Sequence, residues 1–78
     1  MKRYVNGEEP FKCVKSTFAI GPTSNGYTLS FAVNKDSDVW TDWDEAVEAD
    51  TNVVVNDATP FMYFKLTGNK DNAVEVIL

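Results

Sequence analysis

The sequence predicts an all-β domain, a small antiparallel β-sandwich or barrel-like unit of six to seven short strands. Three observations predict it. Several segments alternate apolar with polar residues, which is the period of a strand with one face in a core. Clusters of Gly, Pro, Asn, Asp and Ser separate these segments at roughly 10 to 12 residues. At 78 residues the chain is expected to form one domain, 1–78, with a thin core, because so short a chain buries only about 60 to 65% of its unfolded surface.

The first two segments are predicted to be an edge strand followed, after a turn, by a longer strand. Residues 1–5 favour a short edge strand, and Asn-Gly followed by Glu-Glu-Pro at 6–10 favours a turn and a strand breaker. Residues 11–20 are predicted as one strand with apolar side chains on both faces, which are Val14, Phe18 and Ile20 on one side and Phe11, Cys13 and Ala19 on the other. Residues 21–26, GPTSNG, predict a reversal.

The clearest strand pair is a hairpin over residues 27–44. Its first arm alternates, with four residues predicted to face the core: Tyr27, Leu29, Phe31 and Val33. Residues 34–38, NKDSD, are turn formers because their short polar side chains bond to nearby backbone. The chain then returns through Val39, Trp40, Thr41 and Trp43.

The remaining chain predicts three further strands. Residues 45–52 have some helical propensity, and they fit a single turn or an extended edge as well as a helix. The run Val53 to Val55 is typical of a strand covered on both faces or caught under a loop. Residues 61–66 and 73–78 alternate as strands, and polar turns precede both. Met62, Phe64 and Leu66 share one face of the first, and Val74, Val76 and Leu78 share one face of the second.

Composition excludes several classes of protein. The net charge of −5 and the pI near 4.4 argue against nucleic-acid binding, which needs clustered Lys and Arg. No run approaches the length of a membrane span, and the N-terminus has no signal-like apolar region, so a protein made in the cytoplasm is expected. The single Cys13 excludes an internal disulfide and is expected to be a small core residue.

An acidic segment carries seven of the twelve acids within residues 36–50. Counted from Asn34, several oxygen atoms have the spacing of the ligands in a Ca²⁺-binding EF-hand loop. These candidate ligands are Asn34, Asp36, Asp38, the Trp40 carbonyl, Asp42 and Glu45. Val39 stands where that loop needs a sharp turn. The favoured alternative is the solvated side of a hairpin that meets a basic partner, because alternate strand residues share a face.

Catalysis is not expected. The chain has no histidine, which removes Ser-His and Cys-His pairs and the commonest zinc ligand. Paired carboxylates of a glycosidase need a deep, rigid cleft that a chain of 78 residues can hardly build. No cofactor is implied.

Aromatic residues instead predict a binding surface. Trp40 and Trp43 lie three apart on a strand and should point to opposite faces, one into the core and one outward. An exposed Trp beside carboxylates suits a sugar or a protein interface, and a Trp capping the core is an equal alternative. The candidate interface or ligand surface comprises Phe11, Trp40, Trp43, Phe61 and Tyr63.

Two resemblances add to this interpretation. The run from Tyr27 to Trp43 resembles the Ser-x-Asp-Gly-x-x-Trp hairpin of discoidin-type carbohydrate- and lipid-binding domains, and Gly68-Asn69-Lys70-Asp71 is similar to their later Gly-Asn-x-Asp. The chain lacks the hairpin glycine and is half as long as such a domain. Residues 27–70, from YTLSFAVNKDSDVW to PFMYFKLTGN, also resemble small head-decoration or head-fibre proteins of tailed bacteriophages.

The phage resemblance implies a β-rich, oligomeric protein attached to a capsid or tail, without catalytic residues. The two-sided apolar strands independently favour a homo-oligomer, because one thin core cannot cover both faces. The expectation that the oligomer is a trimer comes from the phage resemblance alone. The sequence therefore predicts a virion accessory protein, with a small carbohydrate-binding module as the alternative.

Overall fold

The computed structural model describes residues 2–58, 62–70 and 72–78. In this described part the chain forms strands and turns without helix, which confirms the all-β prediction. It has no helix long and apolar enough to cross a membrane. The strands are β1 Lys2–Asn6, β2 Phe11–Lys12, β3 Phe18–Ile20, β4 Thr28–Ala32, β5 Thr41–Asp42, β6 Val53–Val55, β7 Tyr63–Thr67 and β8 Ala73–Ile77. The described residues thus hold eight strands, where six to seven were predicted.

The strands form two four-stranded antiparallel sheets that enclose one core. The first sheet has the order β1-β8-β3-β6 and the second the order β2-β7-β4-β5. The first strand pairs with the last, the second with the seventh, the third with the sixth and the fourth with the fifth. This is the order produced when a long antiparallel ribbon rolls up on itself. The fold is therefore an eight-stranded jelly roll, which combines two Greek keys.

Residues 11–20 do not form the single strand that was predicted. β2 joins the second sheet beside β7, and β3 joins the first sheet between β8 and β6. Because the chain bends between the two sheets, Phe11, Cys13 and Phe18 all reach the same core. The expected second apolar surface at Phe11 and Cys13 is therefore wrong, and Val14, predicted to be internal, lies exposed on the bend.

The predicted hairpin forms between β4 and β5. Tyr27 and Leu29 are buried, and Phe31 packs against the core as predicted. Val33 is exposed instead, because β4 ends at Ala32 and the chain has already begun to turn. The return arm pairs only at Ser30 with Asp42 and at Phe31 with Thr41.

The last strands follow the predicted alternation, except β6. Phe64 and Leu66 of β7 and Val74 and Val76 of β8 are buried. β6 was expected to be covered on both faces or caught under a loop, but Val54 is 64% exposed because its side chain lies on the outer face of the first sheet, away from the second sheet. The predicted strand at 61–66 begins at Tyr63, and Phe61 lies outside the described residues.

Candidate functional surfaces

Phe11 cannot serve as a surface residue in this structure. Its side chain is 1% exposed, and its ring centroid lies 5.8 Å from that of Phe18 and 6.3 Å from that of Phe64. The prediction of Phe11 as part of an interface is therefore wrong, because β2 turns this ring into the core. The prediction for Phe61 lies outside the described residues.

Trp43 is the inward tryptophan of the pair. Its ring centroid lies 5.5 Å from those of both Phe31 and Phe64, in edge-to-face geometry. Its backbone N–H donates to the Leu29 carbonyl at 2.8 Å, which extends the pairing of the hairpin. Trp43 therefore closes the core beside β5, and its predicted role in an interface or ligand surface receives no support from this position.

Trp40 lies on the opposite, outer side of the second sheet. The Lys65 Nζ sits 4.6 Å from the centroid of its ring, a cation-π arrangement. The Trp40 Nε1 donates to the Ser37 carbonyl at 2.9 Å, which fixes the ring against the hairpin turn. Tyr63 precedes Lys65 by two residues on β7 and shares its face. We call the surface formed by Ser30, Trp40, Tyr63 and Lys65 the Trp40 face.

The Trp40 face offers aromatic area and few unused polar groups. Ser30 is buried there and shares a 2.9 Å hydrogen bond with the Thr67 hydroxyl. Lys65 occupies one side of the Trp40 ring, so a ligand that stacks on this tryptophan would use the other side. The surface suits an apolar or aromatic contact more than a dense hydrogen-bond network.

The outer face of the first sheet carries an apolar row, formed by Tyr4, Ala19, Val54 and Ile77. Ala19 pairs directly with Val54 on one side and with Ile77 on the other. Tyr4 is 66% exposed. It lies two residues after Lys2, which pairs with Ile77, so the Tyr4 side chain is on the same face of the sheet as that of Ile77. The sequence did not reveal this row, because its members come from four strands and meet only through the sheet register.

The predicted Ca²⁺ loop does not form. Across the described residues no three acidic, cysteine or histidine side chains converge to hold a metal ion. The backbone is extended at Thr41–Asp42, so this strand separates Asp36 and Asp38 of the turn from Glu45. The acids are spread along the chain, and their predicted partner role remains a proposal.

A buried polar cluster around Asn69 was not predicted. Asn69 is fully buried, and its Oδ1 accepts from the Thr23 hydroxyl at 2.7 Å. Its Nδ2 donates to the carbonyls of Gly7 at 3.3 Å and Asn72 at 3.1 Å. Asn25 Nδ2 donates to the Asn69 carbonyl at 2.8 Å. These bonds join three loops at one end of the sandwich, which assigns the cluster a structural role.

Two buried titratable groups lie in the core. The Cys13 thiol donates to the Lys15 carbonyl at 2.7 Å, and burial raises the pKa of Cys13 despite this bond. A thiol of this kind is a poor nucleophile, in keeping with the predicted core role. Burial also raises the pKa of Tyr27 to about 12, and its hydroxyl has no hydrogen-bond partner among the described residues.

No protein-family model, curated protein or solved structure matches this chain.

Proposed function

We propose that this chain is a non-catalytic accessory protein of a tailed-bacteriophage virion, attached to the capsid or tail as a decoration or head-fibre component. It is made in the cytoplasm of the bacterial host and assembles as a homo-oligomer, with three copies as the first choice. Its partners are further copies of itself and a capsid or other virion protein, and not nucleic acid or membrane.

The observation that carries this proposal is the jelly-roll strand order. Jelly rolls build viral capsid and lectin domains, which are both non-catalytic binding architectures. This is an analogy of fold, and function resides in surfaces. The resemblance of residues 27–70 to head-decoration and head-fibre proteins selects the virion among these uses. The absence of histidine from the sequence and the burial of Cys13 favour a non-catalytic role.

The apolar row supplies a surface suited to a protein partner. Interfaces bury apolar side chains at their centre and leave polar groups at the rim. Val54 and Ile77 flank Ala19 on a flat sheet face, with Lys2 and Glu75 beside them. Such an arrangement fits contact with another protein surface better than a concave ligand site.

The test is to purify virions of the phage that encodes the chain and to quantify the chain by mass spectrometry. We expect a fixed copy number relative to the major capsid protein, retained after density-gradient purification. A phage cytosolic protein of similar abundance serves as the control for trapped material. If the chain is found only in the cytosolic fraction of infected cells, the virion role is wrong.

The half-buried Trp40 on the outer side of the second sheet supports one second candidate, a carbohydrate-binding module. Sugar rings stack on such tryptophans, and jelly rolls include lectin domains. Titration with mono- and oligosaccharides should then quench the tryptophan fluorescence of the wild type but leave the tryptophan fluorescence of Trp40→Phe unchanged. Trp43 remains in that variant as an internal fluorophore. Unchanged emission from the wild type across a panel of sugars would remove this candidate.

A further inference from the structure

The two sides of the sandwich carry opposite charge. On one side lie the edge strands β1 and β2. The segments 2–5 and 11–15 hold four basic residues, and the loop between them holds Glu8 and Glu9, so this side has a net positive charge. We call this the basic edge, formed by Lys2, Arg3, Lys12 and Lys15. All four side chains are exposed. Arg3 also forms a 3.2 Å ion pair with Glu9 of the neighbouring loop.

The opposite side is formed by the segment 41–55. This segment pairs with β4 through β5, contacts Tyr27 through Val47 and then pairs with β3 through β6. It carries only acidic charged residues. We call this the acidic edge, formed by Asp42, Asp44, Glu45, Glu48 and Asp50. All five side chains are exposed.

Each edge also contains an apolar cleft where the two sheets separate. On the basic edge a cleft of about 340 Å³ is lined by Arg3, Lys12, Val14, Lys15 and Leu78, and Val14 is exposed there. On the acidic edge a smaller cavity of about 100 Å³ lies between the strands of the two sheets. Asp44 and Glu45 line it together with Trp43 and the valines of β6.

The edge strands themselves are open to pairing. β1 and β6 end the first sheet, and β2 and β5 end the second, so each has one unpaired side in the described structure. Exposed strand edges bind further strands unless charge or geometry prevents it. Acidic edges repel one another. The basic edge keeps a net positive charge, because its four basic residues outnumber Glu8 and Glu9 of the loop between β1 and β2, so it attracts an acidic edge.

From this complementarity we propose that copies of the chain associate head to tail, with the basic edge of one against the acidic edge of the next. The occupant of each edge is thus a second copy. Such a contact is heterologous, and it generates a closed ring when the rotation between copies permits. This inference rests on the proposed function, since it specifies the surfaces through which the virion protein self-associates.

Charge reversal on the intact chain tests the proposal. The variants are Lys15→Glu, Glu45→Lys and the double variant that carries both. Each single variant should self-associate roughly tenfold more weakly in sedimentation equilibrium, because an attraction becomes a repulsion. The double variant should regain association, because it restores an opposite-charge pair at every contact. Lys70→Glu and Asp38→Lys make the same charge changes outside both edges and should behave as wild type.

Salt gives a second readout. Association should weaken between about 0.01 M and about 1 M salt, as the Debye length falls from about 30 Å to about 3 Å. Thermal melts of each variant establish that it is folded.

An oligomer insensitive to salt and to both reversals, but dissociated by Val54→Lys, would overturn head-to-tail association and place the contact at the apolar row. That result would leave the virion role intact, because the presence of the chain in purified virions is measured separately. A chain monomeric at all salt concentrations would overturn the inference and also the proposed oligomer.

Discussion

At the scale of single residues, Tyr27 combines a useful ring with an unsatisfied hydroxyl. The ring lies in the core, only 3% exposed, while its hydroxyl has no hydrogen-bond partner among the described residues. A buried hydroxyl without a partner costs roughly 1–3 kcal/mol. The side chain therefore stabilises the protein through its ring alone.

The raised pKa of Tyr27 predicts a loss of stability in alkali. The ordinary tyrosine pKa is about 10, and burial raises that of Tyr27 to about 12. From about pH 10 to pH 12 the unfolded chain loses the proton before the folded protein does, so the free energy of unfolding falls by up to about 3 kcal/mol. Urea unfolding at several pH values measures this. Tyr27→Phe should make the decline shallower, leaving the part due to the buried Cys13 thiol, and should raise stability at neutral pH by about 1 kcal/mol.

Tyr4→Phe is the matched control, because Tyr4 is largely exposed. It should leave the alkaline decline in place. An identical decline in Tyr27→Phe and in the wild type would show that other groups cause it.

Replacement of Asn69 by alanine is predicted to cost more stability than the size of the side chain suggests. Asn69→Ala removes the partners of the Thr23 hydroxyl and of the Gly7 carbonyl while the site stays buried. We expect the free energy of unfolding to fall by about 3 kcal/mol in urea titrations. Asn25→Ala removes a single, partly exposed bond and should cost about 1 kcal/mol. Equal losses would contradict the central position of Asn69.

At the scale of elements, the β4–β5 hairpin places its two tryptophans in different environments. Trp43 packs edge-to-face against both Phe31 and Phe64, whereas Trp40 lies against Lys65 on the outer face. The hairpin has only two paired residues on its return arm. The aromatic contacts of Trp43 therefore attach this arm to the core.

This difference predicts unequal losses of stability when each tryptophan is replaced by alanine. Trp43→Ala should lower the free energy of unfolding by about 3 kcal/mol, because it leaves a cavity beside Phe64. Trp40→Ala removes a surface cation-π contact and should cost about 1 kcal/mol. Chemical denaturation followed by circular dichroism compares the two without relying on tryptophan emission. A greater loss for Trp40→Ala would mean that the outer face is part of the stabilising core.

At the scale of the whole molecule, charge is separated across the sandwich although the net charge is −5. The acidic edge is a surface of repelling groups, and a cation or a basic partner would relieve that repulsion. The proposed head-to-tail contact would supply such a basic partner.

Calcium is accordingly predicted to leave thermal stability unchanged. A ligand that binds only the folded state raises the melting temperature, and the rise grows with the logarithm of its concentration above the Kd. We expect the same melting temperature in millimolar Ca²⁺ as in millimolar Mg²⁺, measured by calorimetry. A rise of several degrees with Ca²⁺ that Asp38→Asn abolishes would contradict this and would revive the calcium loop.

Much of the local structure follows from the sequence. Alternation placed Leu29, Phe64 and Val76 in the core correctly, because a strand puts successive side chains on opposite faces. Turn residues at 21–26 and 34–38 marked where strands end. Both properties depend on neighbours in the chain, so a local pattern is sufficient to predict them.

The tertiary structure alone decided which strands share a sheet. Phe11 and Phe18 read as opposite faces of one strand, yet a bend between the sheets sends both into one core. Val54 was predicted to be covered by other parts of the chain, but it lies exposed on the outer face of the edge strand β6. The apolar row and the two charged edges arise from pairings between the beginning, middle and end of the chain. Such long-range register is set by the packing of the whole core, which no local pattern records.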